Sequence, residues 1–152
     1  MKYKYSNKKG FTLLEVLIVI GIIAVLSAAV LVAVNPTRQF KLARDSQRVA
    51  NVAAIANAIA QNMSENRGVF KCAGIEKVFD SVPEEISSDD FDIASCLVPV
   101  YIAAIPVDPS GPGSKYISPT DYKSNYFAMR NSDGRIIVSA NGEIDVNIST
   151  LR

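Results

Sequence analysis

GFTLLEVLIVIGIIAVLSAAVLVAV, residues 10–34, carries a single charge, Glu15, and is otherwise built mostly from Leu, Ile, Val and Ala. As a helix rising about 1.5 Å per residue, residues 11–34 reach roughly 36 Å, which exceeds the ~30 Å of a bilayer's hydrocarbon core. Lys2, Lys4, Lys8 and Lys9 precede the stretch with no acid to offset them. A membrane-inserted helix is therefore the first functional expectation.

The whole chain is less lopsided. Its 152 residues hold 16 Lys+Arg against 15 Asp+Glu, a net charge of +1. That balance excludes a strongly basic nucleic-acid binder and an acidic disordered tail. The length suits one compact domain beside the apolar segment. No His occurs anywhere, which excludes a Ser-His-Asp triad, a Cys-His pair and a His-bound zinc. Ser, Asp and Lys show no catalytic spacing, so no enzyme is expected.

Three readings compete for the N-terminal segment. A cleaved secretory signal has an apolar core of about 7 to 15 residues, shorter than this run, and Ser27-Ala28-Ala29 is followed by more apolar residues rather than a polar mature start. A permanent single-pass anchor explains the length but gives Glu15 no task. A carboxylate at the centre of a span costs about 2.5 to 3.5 kcal/mol on insertion scales, and such groups tend to be functional and paired. Glu15 lies only four residues into the run, so snorkelling to the membrane surface stays open for it.

The third reading uses every feature. Lys8-Lys9-Gly10-Phe11-Thr12-Leu13-Leu14-Glu15, followed by Val16-Leu17-Ile18-Val19-Ile20, resembles the class III signal of type IV pilins and type II secretion pseudopilins. The resemblance implies a leader, residues 1–10, cut by a prepilin peptidase between Gly10 and Phe11. It implies N-methylation of Phe11 and an assembly role for Glu15, the acid at the fifth mature position. Buried among neighbouring apolar helices, Glu15 would pair with the α-amine of Phe11 in an adjoining subunit. The partners implied are further copies in a helical filament, the peptidase and, indirectly, an assembly ATPase and an inner-membrane platform protein. The subunit would sit in the cytoplasmic membrane with its N-terminus inside, then in a surface or periplasmic filament.

Charge alone does not set that orientation. Arg38, Lys41, Arg44 and Arg48 follow the span, opposed by Asp45, so the positive-inside rule comes close to a tie with the four leader lysines. Loss of the leader leaves 12 basic and 15 acidic side chains over 142 residues, a net of −3. The four cations read either as a solvated face near anionic headgroups or as a contact between subunits. Nucleic acid is not expected as a main ligand.

The fold class expected is α+β, the pilin fold: a long N-terminal helix on a C-terminal antiparallel meander of three or four strands. Residues 11–35 form its membrane half and 36–152 the extracytoplasmic domain. Asn35-Pro36-Thr37 predicts a kink, or a helix that ends and restarts with Pro36 in its first turn. Over 36–63, Val52, Ile55, Ala56, Ile59, Ala60 and Met63 make an apolar stripe. Residues 64–113 read as a connecting loop with a short helix over 93–101. Residues 114–152 read as sheet: strands over 126–130, 136–140 and 144–148, with Ile144, Val146 and Ile148 inward and Asn141-Gly142 as a two-residue hairpin turn.

Two candidate sites remain. Cys72 and Cys96 are the only cysteines. In an exported domain they suggest a disulfide, worth about 3 kcal/mol for a loop of about 25 residues, with two buried free thiols as the alternative. The commoner pilin bridge lies nearer the C-terminus. Pro106-Val107-Asp108-Pro109 resembles a turn of the major pseudopilins, which often bind calcium in the following loop. That resemblance offers Asp108, Asp121 and Asp133 as weak calcium ligands. The alternative has Asp108 and Pro109 shaping a turn, and no other cofactor is expected. Beside the pilus subunit stand two other functions, a secretion pseudopilin and a membrane-tethered binding domain that never polymerises.

Overall fold

The computed structural model describes residues 10–151, so residues 1–9 of the expected leader lie outside the described residues. The chain divides into two compact units after Gln39. In the first, α1 spans Leu13–Val34, 22 residues, and none of them is buried. Asn35 ends α1 in the left-handed region at φ 45°, a conformation Asn tolerates better than most residues. Its side-chain oxygen then accepts the Arg38 amide at 3.3 Å, and Pro36 opens α2, Pro36–Glu65. Pro suits a first helical position because its missing amide hydrogen would have no partner there. Of the two expectations for this point, the restart is the one realised.

In the second unit the expected stripe of α2 is the core. Val52, Ile55, Ala56, Ala58 and Ile59 are buried, with Ile55 and Ile59 at 0% exposure. Burying each such side chain contributes on the order of 2 kcal/mol. After Glu65 the chain turns through Arg67 and Gly68, both with positive φ.

The stretch 64–113 is more structured than a loop. It holds β1 (Lys71–Cys72), β2 (Ile75–Glu76), β3 (Glu84–Ser87) and α3 (Ala94–Leu97). The helix expected over 93–101 is thus a single turn. Its start is fixed by Tyr122, whose hydroxyl accepts the amides of Ile93 and Ala94 at 3.0 and 3.2 Å and donates to Asp92 at 2.9 Å.

The expected C-terminal antiparallel meander has four strands, and β3 makes the main sheet five-stranded. β4 (Lys115–Ser118), β5 (Asp121–Arg130), β6 (Ile136–Ala140) and β7 (Ile148–Leu151) complete it, in the order β3-β5-β6-β7 with β4 beside β5. β5 pairs with β3 along one edge; β4 and then β6 share the other. Asn125, at φ 58°, lies on β5 between its β4-paired and β6-paired stretches. Tyr122, Ser124, Tyr126 and Ala128 face inward along it.

The last hairpin corrects the expectation. Residues 144–148 are not a strand; β7 begins at Ile148, and neither Asn141 nor Gly142 has a positive φ. The reason is Asp45 on α2. Its carboxylate accepts three successive amides, Glu143 at 2.9 Å, Ile144 at 2.8 Å and Asp145 at 3.2 Å. Three neighbouring N–H groups converging on one anion cannot alternate as a strand requires. Ile144 and Val146, expected inward, are 38% and 68% exposed.

Candidate functional site

At the head of α1, Thr12 is the N-cap and Glu15 the third helical residue. The Glu15 amide donates to Thr12 Oγ1 at 3.2 Å, and Glu15 Oε2 accepts the Thr12 amide at 3.4 Å. This capping box satisfies two helix-end donors reciprocally and sets a negative charge against the positive end of the helix dipole. Glu15 therefore has a local partner within its own chain. Gly10 and Phe11 precede the helix in non-helical backbone, with Phe11 86% exposed. The Gly10–Phe11 peptide bond is thus open to solvent, just ahead of the cap.

Behind the cap, the apolar surface of α1 faces nothing within the chain. From Leu13 to Val34 every large hydrophobic side chain is at least half exposed. By length and composition α1 can cross a membrane; 22 residues give about 33 Å. A helix apolar all round belongs in lipid or among other helices.

The second constellation was not legible as a unit. Arg48 on α2 is 2% exposed and grips Asp108 with two hydrogen bonds of 2.6 and 2.8 Å. It also donates to Asp45 at 2.7 Å and to Ser110 at 2.7 Å. Arg44 makes a bidentate pair with Glu143 at 2.5 and 2.6 Å. Two of the four cations read as one basic face are therefore taken up in ion pairs within the chain, and of the four Arg38 and Lys41 stand outside them.

The electrostatics follow from that packing. Burial opposes ionisation of Asp45, but the three loop amides and Arg48 outweigh it and hold the carboxyl well below the usual range. Burial likewise works against Asp108, and Arg48 with the Ser110 amide prevails, so its pKa is lowered. Arg44 brings Glu143 down to about 2. Arg48 is raised, chiefly by Asp108. The cluster stays charged at any physiological pH and fastens the 141–147 loop and the Asp108 turn to α2.

The calcium candidates do not come together. Both oxygens of Asp108 are engaged by Arg48, Asp121 pairs with Lys115, and Asp133 accepts from Asn131 at 3.3 Å in the β5–β6 turn. No group of three metal-ligating side chains exists among the described residues. The residues present do not fit a calcium loop. Cys72 on β1 and Cys96 on α3 are joined in a disulfide, with Cα atoms 4.5 Å apart. It ties the small β1–β2 hairpin to α3.

Residues 5–31 match the family model described as the prokaryotic N-terminal methylation motif. This is the class III prepilin signal, and it marks pilin-like structural subunits. No curated protein and no solved structure matches the chain. The long helix followed by an antiparallel sheet is an α+β architecture consistent with the pilin fold.

Proposed function

We propose that this pilin-like chain is the structural subunit of a type IV pilus-like filament. Residues 1–10 are its leader, 11–35 its membrane and assembly segment, and 36–152 its extracytoplasmic domain. Hydrolysis of the Gly10–Phe11 bond by a prepilin peptidase frees the Phe11 α-amine, which then receives one methyl group. The observation that carries the reading is α1 itself: a 22-residue apolar helix with no buried residue, most of which falls within the methylation motif matched at residues 5–31. In the precursor, lipid covers it. In a filament, the α1 helices of other copies replace the lipid, with the assembly ATPase and platform protein driving the exchange.

Glu15 supplies the register. Once the leader is gone, its carboxylate sits one helical turn from the new N-terminus, and a charge of this kind among apolar helices requires a partner. The α-amine of Phe11 in a neighbouring copy provides it at one axial stagger. Glu15→Val keeps the span and its insertion but removes that partner, so filament yield falls at least tenfold while membrane content is unchanged. Normal filaments from Glu15→Val would refute the pairing.

A secretion pseudopilus is the second reading, favoured by the Pro106-Val107-Asp108-Pro109 turn. Here that turn delivers Asp108 to Arg48, a structural use that lends no calcium site to the comparison. The deciding measurement for the main reading is intact mass and N-terminal sequence of protein sheared from cells. A chain starting at Phe11 and heavier by one methyl supports it. An unprocessed chain found only in the membrane leaves a tethered domain in its place.

A further inference from the structure

Alongside α2 runs an apolar trough that the folded chain leaves empty. Leu42, Ser46, Val49 and Ala53 form one wall, at steps of four, three and four residues, and Ile144 and Ile148 line the other. The wall along α2 is about 16 Å long at 1.5 Å per residue, three turns of a helix. Val49 is 54% and Ile144 38% exposed, an apolar pairing that a solvated face does not need. The trough also accounts for the unused alternation of 144–148: Asp45 pulls that segment out of the sheet, and Ile144 becomes a wall instead of core.

We propose that this trough seats the apolar helix α1 of a second copy, through the part of α1 beyond Glu15. The inference rests on the filament reading and names one of its contacts. Three observations point to this occupant. Each copy carries one helix that is apolar on every face and covered by nothing in its own chain. The trough matches a helix in length and in the spacing of its wall, as ridge-into-groove packing requires. Asp45 and Asp145 line the trough, Asp145 in both of its adjoining parts, and they disfavour the end of α1 that carries Glu15, so the charge-free stretch 18–34 is the part that fits.

The test places a benzophenone photocrosslinking residue at position 49 of the full chain in cells and maps the products in sheared filaments. The expected product joins position 49 to residues 18–34 of another copy. In parallel, Val49→Asp lowers filament yield at least tenfold, whereas Val82→Asp, at an equally exposed valine (63%) that does not line the trough, leaves it unchanged. Val49 is exposed, so the variant folds, and an intact Cys72–Cys96 bridge reports that it has. Crosslinks confined to residues 40–151, or normal filaments from Val49→Asp, overturn the trough contact and leave the filament reading standing. A processed wild-type chain that forms no filaments overturns both.

Discussion

Replacing Arg48 by Met removes a guanidinium that two buried carboxylates share, Asp108 and Asp45. Met fills much of the volume but leaves both anions without their counter-charge, and losing one partner of a buried pair costs about 3 to 5 kcal/mol. Urea unfolding of the Arg48→Met chain should show that loss, with most of it recovered when Asp108→Asn is added, because the two sites share one interaction. The same cluster sets an acid limit. Asp45, Asp108 and Glu143 all have pKa values lowered in the folded state, Glu143 to about 2. Their stabilisation is complete above the unfolded carboxyl range near pH 4 and is lost as pH falls through the folded values. A pH series of thermal unfolding should therefore be flat from pH 5 to 8 and drop between about 4 and 2, and Asp45→Asn should flatten the drop. None of this was visible in the local sequence. Arg44 and Arg48 read like Arg38 and Lys41 because, Asp45 apart, their acidic partners lie 60 to 99 residues away, where spacing along one helix carries no information. Glu15 stood out for another reason, as the single charge of an apolar run in register with Gly10 and Phe11, and its capping contact with Thr12 was not foreseen.

Elements were readable in proportion to how much of their burial pattern is their own. β5 alternates buried and half-buried residues along most of its ten-residue length, and α2 repeats its apolar positions at helical spacing; period located α2 and the 126–130 half of β5, whereas 121–125, rich in polar residues, was missed. β3, Glu84-Glu85-Ile86-Ser87, has one apolar residue and joins the sheet because β5 offers it an edge. β7 was misplaced by four residues because an acid on another element outcompeted a sound alternation. The disulfide belongs at this scale too. It closes a separation of 24 residues between β1 and α3, and neither the two-residue strand nor the single helical turn holds itself together. Cys72→Ser with Cys96→Ser should cost about 3 kcal/mol in the loop-entropy model. Hydrogen exchange should rise across the β1–β2 hairpin, residues 69–77, and stay unchanged in β5 and β6, whose ladder runs through five residue pairs. Uniform loss of protection would mean that the bridge also holds in place the part of the core built from Ile93, Ala94 and Leu97.

At the scale of the molecule, the two units differ in what their surfaces can face. The charge-free run and the methylation motif announce the first, and the change of period from 3.6 to 2 announces the helix-then-sheet plan of the second. Their boundary, after Gln39, falls inside a continuous α2 and has no sequence mark, since Asn35-Pro36 sits four residues earlier. What separates the units physically is burial: every buried hydrophobic side chain among the described residues lies between Val52 and Ile148, and α1 contributes none. A helix with no residue in the core can be removed without opening a cavity, at the cost only of the Asn35 contacts that cap the exposed start of α2, whereas a helix that packs on the sheet cannot. Residues 36–152 expressed alone, with the disulfide formed, should therefore be water-soluble and unfold in one cooperative transition. Sedimentation should find them monomeric, because the exposed wall of Val49 and Ile144 is too small to hold two copies together without α1. Adding a peptide of residues 18–34 in detergent should shift the amide signals of Val49 and Ile144 first. Failure of 36–152 to fold would show that α1 supplies packing to the domain within its own chain.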